Sequence, residues 1–494
     1  MDGSFTEKDT ANANGYRTEK DFLGELKLPA GALYGIETQR ARNNFALSYK
    51  TVNPRLIRAI IVIKKAAALA MIKTGGAAKD TMGGSESGGT EGGGESAKFH
   101  AIAEACDKLL SIGEKNGSDE NGNEAAYNEL FIVDALQGGA GTSTNMNVNE
   151  VIANTALKIL GKKPGDYKIV DPIDDVNRFQ STNDVYPTAL RIAAIQQLRS
   201  LSNSCAELQE SLQIRENDFA SIKKLGRTEL MDAMPVSLGG EFGAWAQAIA
   251  RDRWRLYKME ERLRQINTGG QAVGISGKEQ RIFRFTMIEE LRRLTGIGLA
   301  AAEYPMDITQ NNDVFVEASG LLKALAVNIM KISNDLRLMN SGPRGGFGEI
   351  RLAPLQTGST IMPGKVNPVI CEMAIQAAIK VMANDQAVTM AASHGEFELN
   401  PFLPLIADSL LGSLSLLERT SRILRTHCIE LLTADESACA AHLENSLAFA
   451  YARINELGYR SLGQIIKNGG GDIEKIKADI ENAVKTQKHG GNHE

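Results

Sequence analysis

The chain has 494 residues, 43% of them hydrophobic and 23% charged, with a net charge of −5 at neutral pH. That length allows two or three domains around a large core, and the acidic balance argues against a nucleic-acid partner, whose phosphates need a basic surface. Five scattered cysteines without a CxxC pair exclude a disulfide framework and read as buried, reduced thiols.

The opening "MDGSFTEKDTANANGYRTEKDF" is polar and carries several acids. It has neither the apolar stretch of a secretory leader nor the acid-poor, Arg-rich character of a transit peptide, so a cytoplasmic location is expected. "NPRLIRAIIVIKKAAALAMIKTGG" predicts a helix with Asn53 as N-cap, Pro54 in the first turn and a stop at Gly75. Lys64 and Lys65 interrupt its apolar run, which therefore packs in a protein core rather than crossing a membrane. Two polar tracts, Gly83–Ser96 and Gly113–Asn128, read as exposed, mobile loops.

Further along, "DVFVEASGLLKALAVNIMKISNDLRLMNSGP" predicts a helix of about 27 residues from Asp313, and "NPVICEMAIQAAIKVMANDQAVTMAA" and "PFLPLIADSLLGSLSLLERTSRILRTHCIELL" are nearly as long. At about 1.5 Å per residue such helices reach on the order of 40 Å. Apolar helices of that length suit a long bundle that also buries faces against other copies of the chain, so a homo-oligomer is expected. Composition changes near Asp171 and Glu436 divide the chain into three parts. These are a mostly helical N-terminal domain (1–179), a central long-helix bundle (180–436) and a small helical C-terminal domain (437–494).

"GSTIMPGK" superficially resembles a phosphate loop, but five residues separate Gly358 from Gly364, and Val366 stands where magnesium needs a hydroxyl. There is no HExxH and no paired Cys/His spacing, and six histidines are too few for a His-rich centre, so no metal is expected. Four segments instead place hydroxyls and amides ahead of a predicted helix. They are "GAGTSTNMN" with Thr142, "QSTNDVYPT" with Ser181, Thr182 and Asn183, "GRTELMDAMP" with Thr228 and Glu229, and "GSTIMPGKVNP" with Ser359, Thr360, Lys365 and Asn367. Pro187, Pro235 and Pro368 each fit near the first turn of the following helix. Singly, such residues are ordinary N-caps and turns. Together, with one lysine, they form a receptor for the carboxylates of a small dicarboxylate. Ser359 lies in no Ser-His-Asp order or GxSxG elbow, so it fits a proton acceptor better than an acylated nucleophile.

These blocks, with "LYGIETQRARNNF", "DDVNRFQSTNDVYPT" and "NDLRLMNSGPRGG", closely resemble the aspartase/fumarase superfamily, in order and over most of the chain. The resemblance implies a mainly α, three-domain fold whose central bundle forms the core of a homotetramer, with each active site built by three subunits. It implies elimination from a succinyl substrate to release fumarate, without an organic cofactor. By this resemblance Ser359 is the base that takes the Cβ proton, Lys365 and Asn367 hold the carboxylate, and Thr142, Ser181, Thr182, Asn183, Thr228 and Thr360 fall on substrate-contacting positions. Glu372 matches a glutamate of the same block as the loop.

After "GRT", relatives carry histidine or glutamine, whereas this chain has Glu229. An ionised carboxylate there attracts a substrate ammonium by a few kcal/mol at most, since unit charges at ~4 Å and effective dielectric ~20 interact by about 4 kcal/mol. It repels a dicarboxylate without an amine. L-Aspartate is therefore the expected substrate, with ammonia as leaving group. The rivals are a class II fumarate hydratase, a lyase for another substituted succinate, and a catalytically silent helical scaffold. The family's usual histidine before "DDVN" is replaced by Asp171, so an accessory dicarboxylate site is not expected.

Overall fold

A computed structural model describes residues 15–75, 92–112, 127–275, 277 and 280–490. The chain is mainly helical, as the sequence predicts. A hairpin of β1 (Tyr16–Asp21) and β2 (Gly24–Pro29) precedes α1 (Ile36–Asn44), α2 (Pro54–Thr74), α3 (Gly92–Ser111), α4 (Thr142–Ile159) and α5 (Thr182–Asp218). A second hairpin, β3 (Lys223–Thr228) and β4 (Met231–Ser237), leads into α6 (Leu238–Leu263) and α7 (Arg281–Thr295). The long helices α8 (Asp313–Met339), α9 (Val369–Ser393) and α10 (Leu403–Leu424) follow, then α11 (Glu436–Glu444), α12 (Tyr459–Gly469) and α13 (Ile473–Gly490). No described helix is long and apolar enough to cross a membrane.

The local causes are those read from the residues. Asn53 caps α2 by accepting the Arg55 N–H at 2.9 Å, and Gly75 ends it at φ 61°, where a side chain is disfavoured. Pro187 lies inside α5 rather than at its first position, and lacks the N–H that the Asn183 carbonyl would accept. Asn267 Nδ2 donates to that carbonyl instead, at 3.0 Å. All five cysteines are free and buried.

Two expectations change. Of the tract Gly83–Ser96, residues 83–91 lie outside the described residues, but Gly92–Ser96 opens α3 instead of forming a loop. The buried stripe Phe99, Ile102, Cys106 and Leu109 that follows offsets the helical cost of glycine. Residues 113–126 of the second tract also lie outside the described residues, and Tyr127 and Asn128 begin a short helical turn. Finally, "GRTELMDAMP" does not precede a helix directly. Glu229 (φ 54°) and Leu230 (φ 63°) both adopt left-handed backbone, the requirement of a two-residue hairpin turn, and Pro235 sits in β4 beside a bulge.

The chain forms two compact units, and the long helices α5, α6, α8, α9 and α10 contribute segments to both. The first comprises Met1–Arg199, Tyr257–Gly320 and Ala383–Ser415. In it α2 packs against α3 and α7, and α3 packs against α4. The Glu150 carboxylate, 1% exposed, starts α1 by accepting N–H groups of Gly35, Glu37 and Thr38 at 2.8–3.1 Å and the Thr38 hydroxyl at 2.5 Å. Burial nevertheless pushes its pKa up to about 7. Removing this acceptor orphans four donors, so Glu150→Ala is expected to cost about 3–5 kcal/mol. Thermal unfolding beside the wild type checks this; an unchanged midpoint is the contrary result.

The second unit comprises Ser200–Leu256, Leu321–Met382 and Leu416–Glu494. Its β3–β4 hairpin is anchored at the base by fully buried Glu349, which pairs with Lys224 at 2.9 Å and Arg227 at 2.8 Å. The Arg227 guanidinium also lies over the Phe347 ring, 4.2 Å from its centroid. The C-terminal helices close over a small core of Ala450, Leu457, Leu462, Ile476 and Ile480.

Candidate functional site

The sequence-predicted site residues fall into two sets, one in each unit. In the first unit, Gly139, Ala140 and Gly141 run through left-handed backbone into α4. A Cβ on Gly141 would meet the Tyr186 ring at 2.2 Å, so only glycine brings this turn so close to α5. Thr142 follows, exposed, its hydroxyl donating to the Gly139 carbonyl at 2.7 Å.

Ser181, Thr182 and Asn183 form the entry to α5. Ser181 Oγ accepts the Asn183 N–H at 3.2 Å, and Asn183 Nδ2 donates to the Ala272 carbonyl at 2.8 Å. Asp184 staples this entry to the neighbouring turn by accepting N–H groups of Ser181, Gly269 and Gln271 at 2.9–3.1 Å. Its burial pushes the carboxyl pKa up to about 7. Thr142 and Thr182 belong to one neighbourhood, because Asn145 of α4 donates to the Thr182 hydroxyl at 3.1 Å.

In the second unit the loop Thr357–Pro368 folds back on itself. Gly358 N–H donates to the Lys365 carbonyl at 2.8 Å, and Asn367 Nδ2 donates to the Gly358 carbonyl at 3.0 Å. A Cβ on Gly358 would lie 2.8 Å from the Lys365 carbonyl oxygen, which explains the glycine. Ser359 is half-buried, and its Oγ accepts two backbone N–H groups, Ile361 at 3.2 Å and Met362 at 3.0 Å. Hydrogen bonds of this kind stabilise negative charge on the oxygen they address. These donors come from the serine's own turn, not from the start of α9.

Thr360 and Lys365 are exposed on the same loop. Glu372, in the first turn of α9, lies 4.0 Å from Arg337 of α8. Thr228 and Glu229 stand exposed at the tip of the β3–β4 hairpin. Asp171 acts as a cap, accepting the Ile173 and Asp174 N–H groups at 2.7 and 2.8 Å.

Sequence reading does not single out the buried Lys64–Asn177 contact, Asp184, or the Glu349 anchor beneath the hairpin. Lys64 carried a usable signal. With Ile57, Ile60, Ile61 and Met71 it falls on the spacing of the buried face of α2, where a lysine needs a partner.

The chain is mainly helical and one loop gathers a glycine-bounded serine, a lysine and an amide; residues 24–383 match the family model described as Lyase. The chain belongs to the aspartase/fumarase superfamily. It is 40% identical to the aspartate ammonia-lyase of Pseudomonas aeruginosa, over 94% of this chain and 93% of that one. It is 38% identical to the aspartate ammonia-lyase of Bacillus subtilis, over 92% and 89%. Among solved structures, the fumarate lyase:delta crystallin of Brucella melitensis bound to cobalt is 39% identical, with a TM-score of 0.84 over 96% of this chain and 98% of that one. The class II fumarase of Schistosoma mansoni superposes with a TM-score of 0.82 at 26% identity, over 94% and 96%.

Proposed function

We propose that the protein is an aspartate ammonia-lyase, converting L-aspartate to fumarate and ammonia. The observation that carries this reading is the turn around Ser359, where two backbone N–H groups address a serine oxygen in the loop that also holds Lys365 and Asn367. In its deprotonated form Ser359 removes the Cβ proton. The electron pair left on Cβ is delocalised into the adjacent carboxylate, giving a doubly charged enediolate-like group. Its collapse forms the C=C bond and expels the amine.

A proton beside a carboxylate is very weakly acidic, so stabilisation of the extra charge decides the rate. Lys365 and Asn367 serve that group, while Thr142, Ser181, Thr182, Asn183, Thr228 and Thr360 hold the substrate in register. Glu229 attracts the substrate ammonium, and Glu372 contributes from the start of α9. Each site draws these residues from three chains of a homotetramer. The large apolar side chains of Trp254, Val327 and Ile379, exposed on long helices, support such an assembly. The division at 1–179, 180–436 and 437–494 and a cytoplasmic location complete the reading.

The test is fumarate absorbance with aspartate and malate supplied in parallel to purified protein. Fumarate is expected from aspartate and not from malate. Turnover of malate alone overturns the reading in favour of a fumarate hydratase, and no turnover of either leaves only another substituted succinate or a silent scaffold.

A further inference from the structure

Lys64 is completely buried in α2, and among the described residues its ammonium has two hydrogen-bond acceptors, both neutral amides. They are Asn177 Oδ1 at 2.7 Å and Gln180 Oε1 at 3.1 Å. A buried cation without a bonded carboxylate is costly, and burial pulls its pKa down to about 7, with Asp184 and Cys106 the titratable groups that act on it. Such a cost calls for a return elsewhere.

The hydrogen bonds show where. An ammonium only donates, so it fixes which way the Asn177 amide points: oxygen inward. Asn177 Nδ2 is held by the Gln180 carbonyl at 3.1 Å, which locks the same orientation from the other side. Asn177 Oδ1 then accepts, and Asn145 must meet it with its NH2 group, at 3.1 Å. The second hydrogen of that NH2 reaches Thr182 Oγ1, also at 3.1 Å. Because the Thr182 oxygen is used as an acceptor, its own hydrogen is left to donate outward.

We infer that Lys64 is a positioning residue: through Asn177 and Asn145 it fixes the direction of hydrogen bonding so that the Thr182 hydroxyl donates to a substrate carboxylate. The inference rests on the reading above that Thr182 contacts the substrate. Without Lys64 the Asn177 orientation rests on the Gln180 carbonyl and on Asn149, whose Nδ2 donates to Asn177 Oδ1 at 3.3 Å; the two amides turn more readily, and the hydroxyl spends part of its time as an acceptor facing a carboxylate, an unfavourable pairing. A bound dicarboxylate also favours the charged form of the buried amine.

The test uses the full-length protein and succinate, a dicarboxylate with no amine to eliminate, with dissociation constants from calorimetry. Lys64→Met is expected to weaken succinate about tenfold or more, on the scale of one lost hydrogen bond to a charged group, and to raise the KM for aspartate more than it lowers kcat. Thr182→Val should weaken binding comparably. The double variant should bind within about threefold of Thr182→Val alone, because both changes remove the same donor.

Succinate affinity of Lys64→Met within twofold of the wild type overturns the inference, as do losses that multiply fully in the double variant. Should Lys64→Met not assemble, Lys64→Gln, of near size but able to accept as well as donate, carries the same comparison. If the wild type neither binds succinate nor releases fumarate from aspartate, the functional reading fails, and the inference falls with it.

Discussion

Ser359→Ala is expected to lower the rate of fumarate release by about 10²–10⁴-fold, the usual contribution of a positioned base, while leaving assembly intact. The turn around Ser359 is surface structure: Ile361 and Met362 are exposed, so their N–H groups find water when the oxygen is removed. Nothing buried is orphaned, and the Gly358–Lys365 and Asn367–Gly358 hydrogen bonds that close the loop involve no atom of the serine side chain. Loss of rate with an unchanged elution volume therefore separates the chemical role from a folding role. Exchange of the Cβ proton of aspartate into heavy water sharpens the result, because it reports proton removal whether or not ammonia leaves. It should vanish with the serine oxygen. A variant that keeps the wild-type rate assigns the base to another group.

The helices were largely legible because their signals are local. Asn53, Pro54 and Gly75 bound α2 as their types require, and α8 occupies Asp313–Met339, as predicted. The start of α3 was not, since the buried stripe beyond Phe99 decides the conformation of Gly92–Ser96 and only packing reveals that the stripe is buried. The hairpin under Thr228 and Glu229 was missed for a related reason. Its turn uses two left-handed residues, Glu229 and Leu230, neither of which is a glycine or asparagine that would announce it.

The site shows the same contrast. Ser359, Lys365 and Asn367 lie close in sequence, and the glycines beside them are visible as letters, so their shared loop could be read directly. The donors on Ser359 Oγ could not, because whether helix N-termini or the serine's own turn supplies them depends on backbone geometry. The chain from Lys64 to Thr182 spans residues far apart in sequence, and a lysine in an apolar helix serves equally well as a sign that the helix does not cross a membrane. Its meaning appears only when Asn177 and Gln180 are found at its tip.

Lys365→Met is the companion experiment, and its expected effect is of similar size. The side chain is exposed on the loop, whereas the Lys365 backbone carbonyl accepts the Gly358 N–H. Methionine preserves that carbonyl and most of the side-chain volume, so the loop keeps its closure and only the charge is lost. On the proposed function, Lys365 faces a carboxylate with one negative charge in the ground state, and after proton removal the same group carries two. The second charge adds about 4 kcal/mol at ~4 Å and an effective dielectric of ~20, which corresponds to roughly a thousandfold in rate. Since that part of the interaction exists only after proton removal, kcat should fall by far more than KM rises. Lys365→Arg retains the charge with a different reach and should recover part of the loss, because a planar guanidinium does not reproduce a compact ammonium. Steady-state kinetics of the two variants decides the matter: equal kcat in wild type and Lys365→Met removes the lysine from charge stabilisation, and a rise in KM alone reduces it to a binding group.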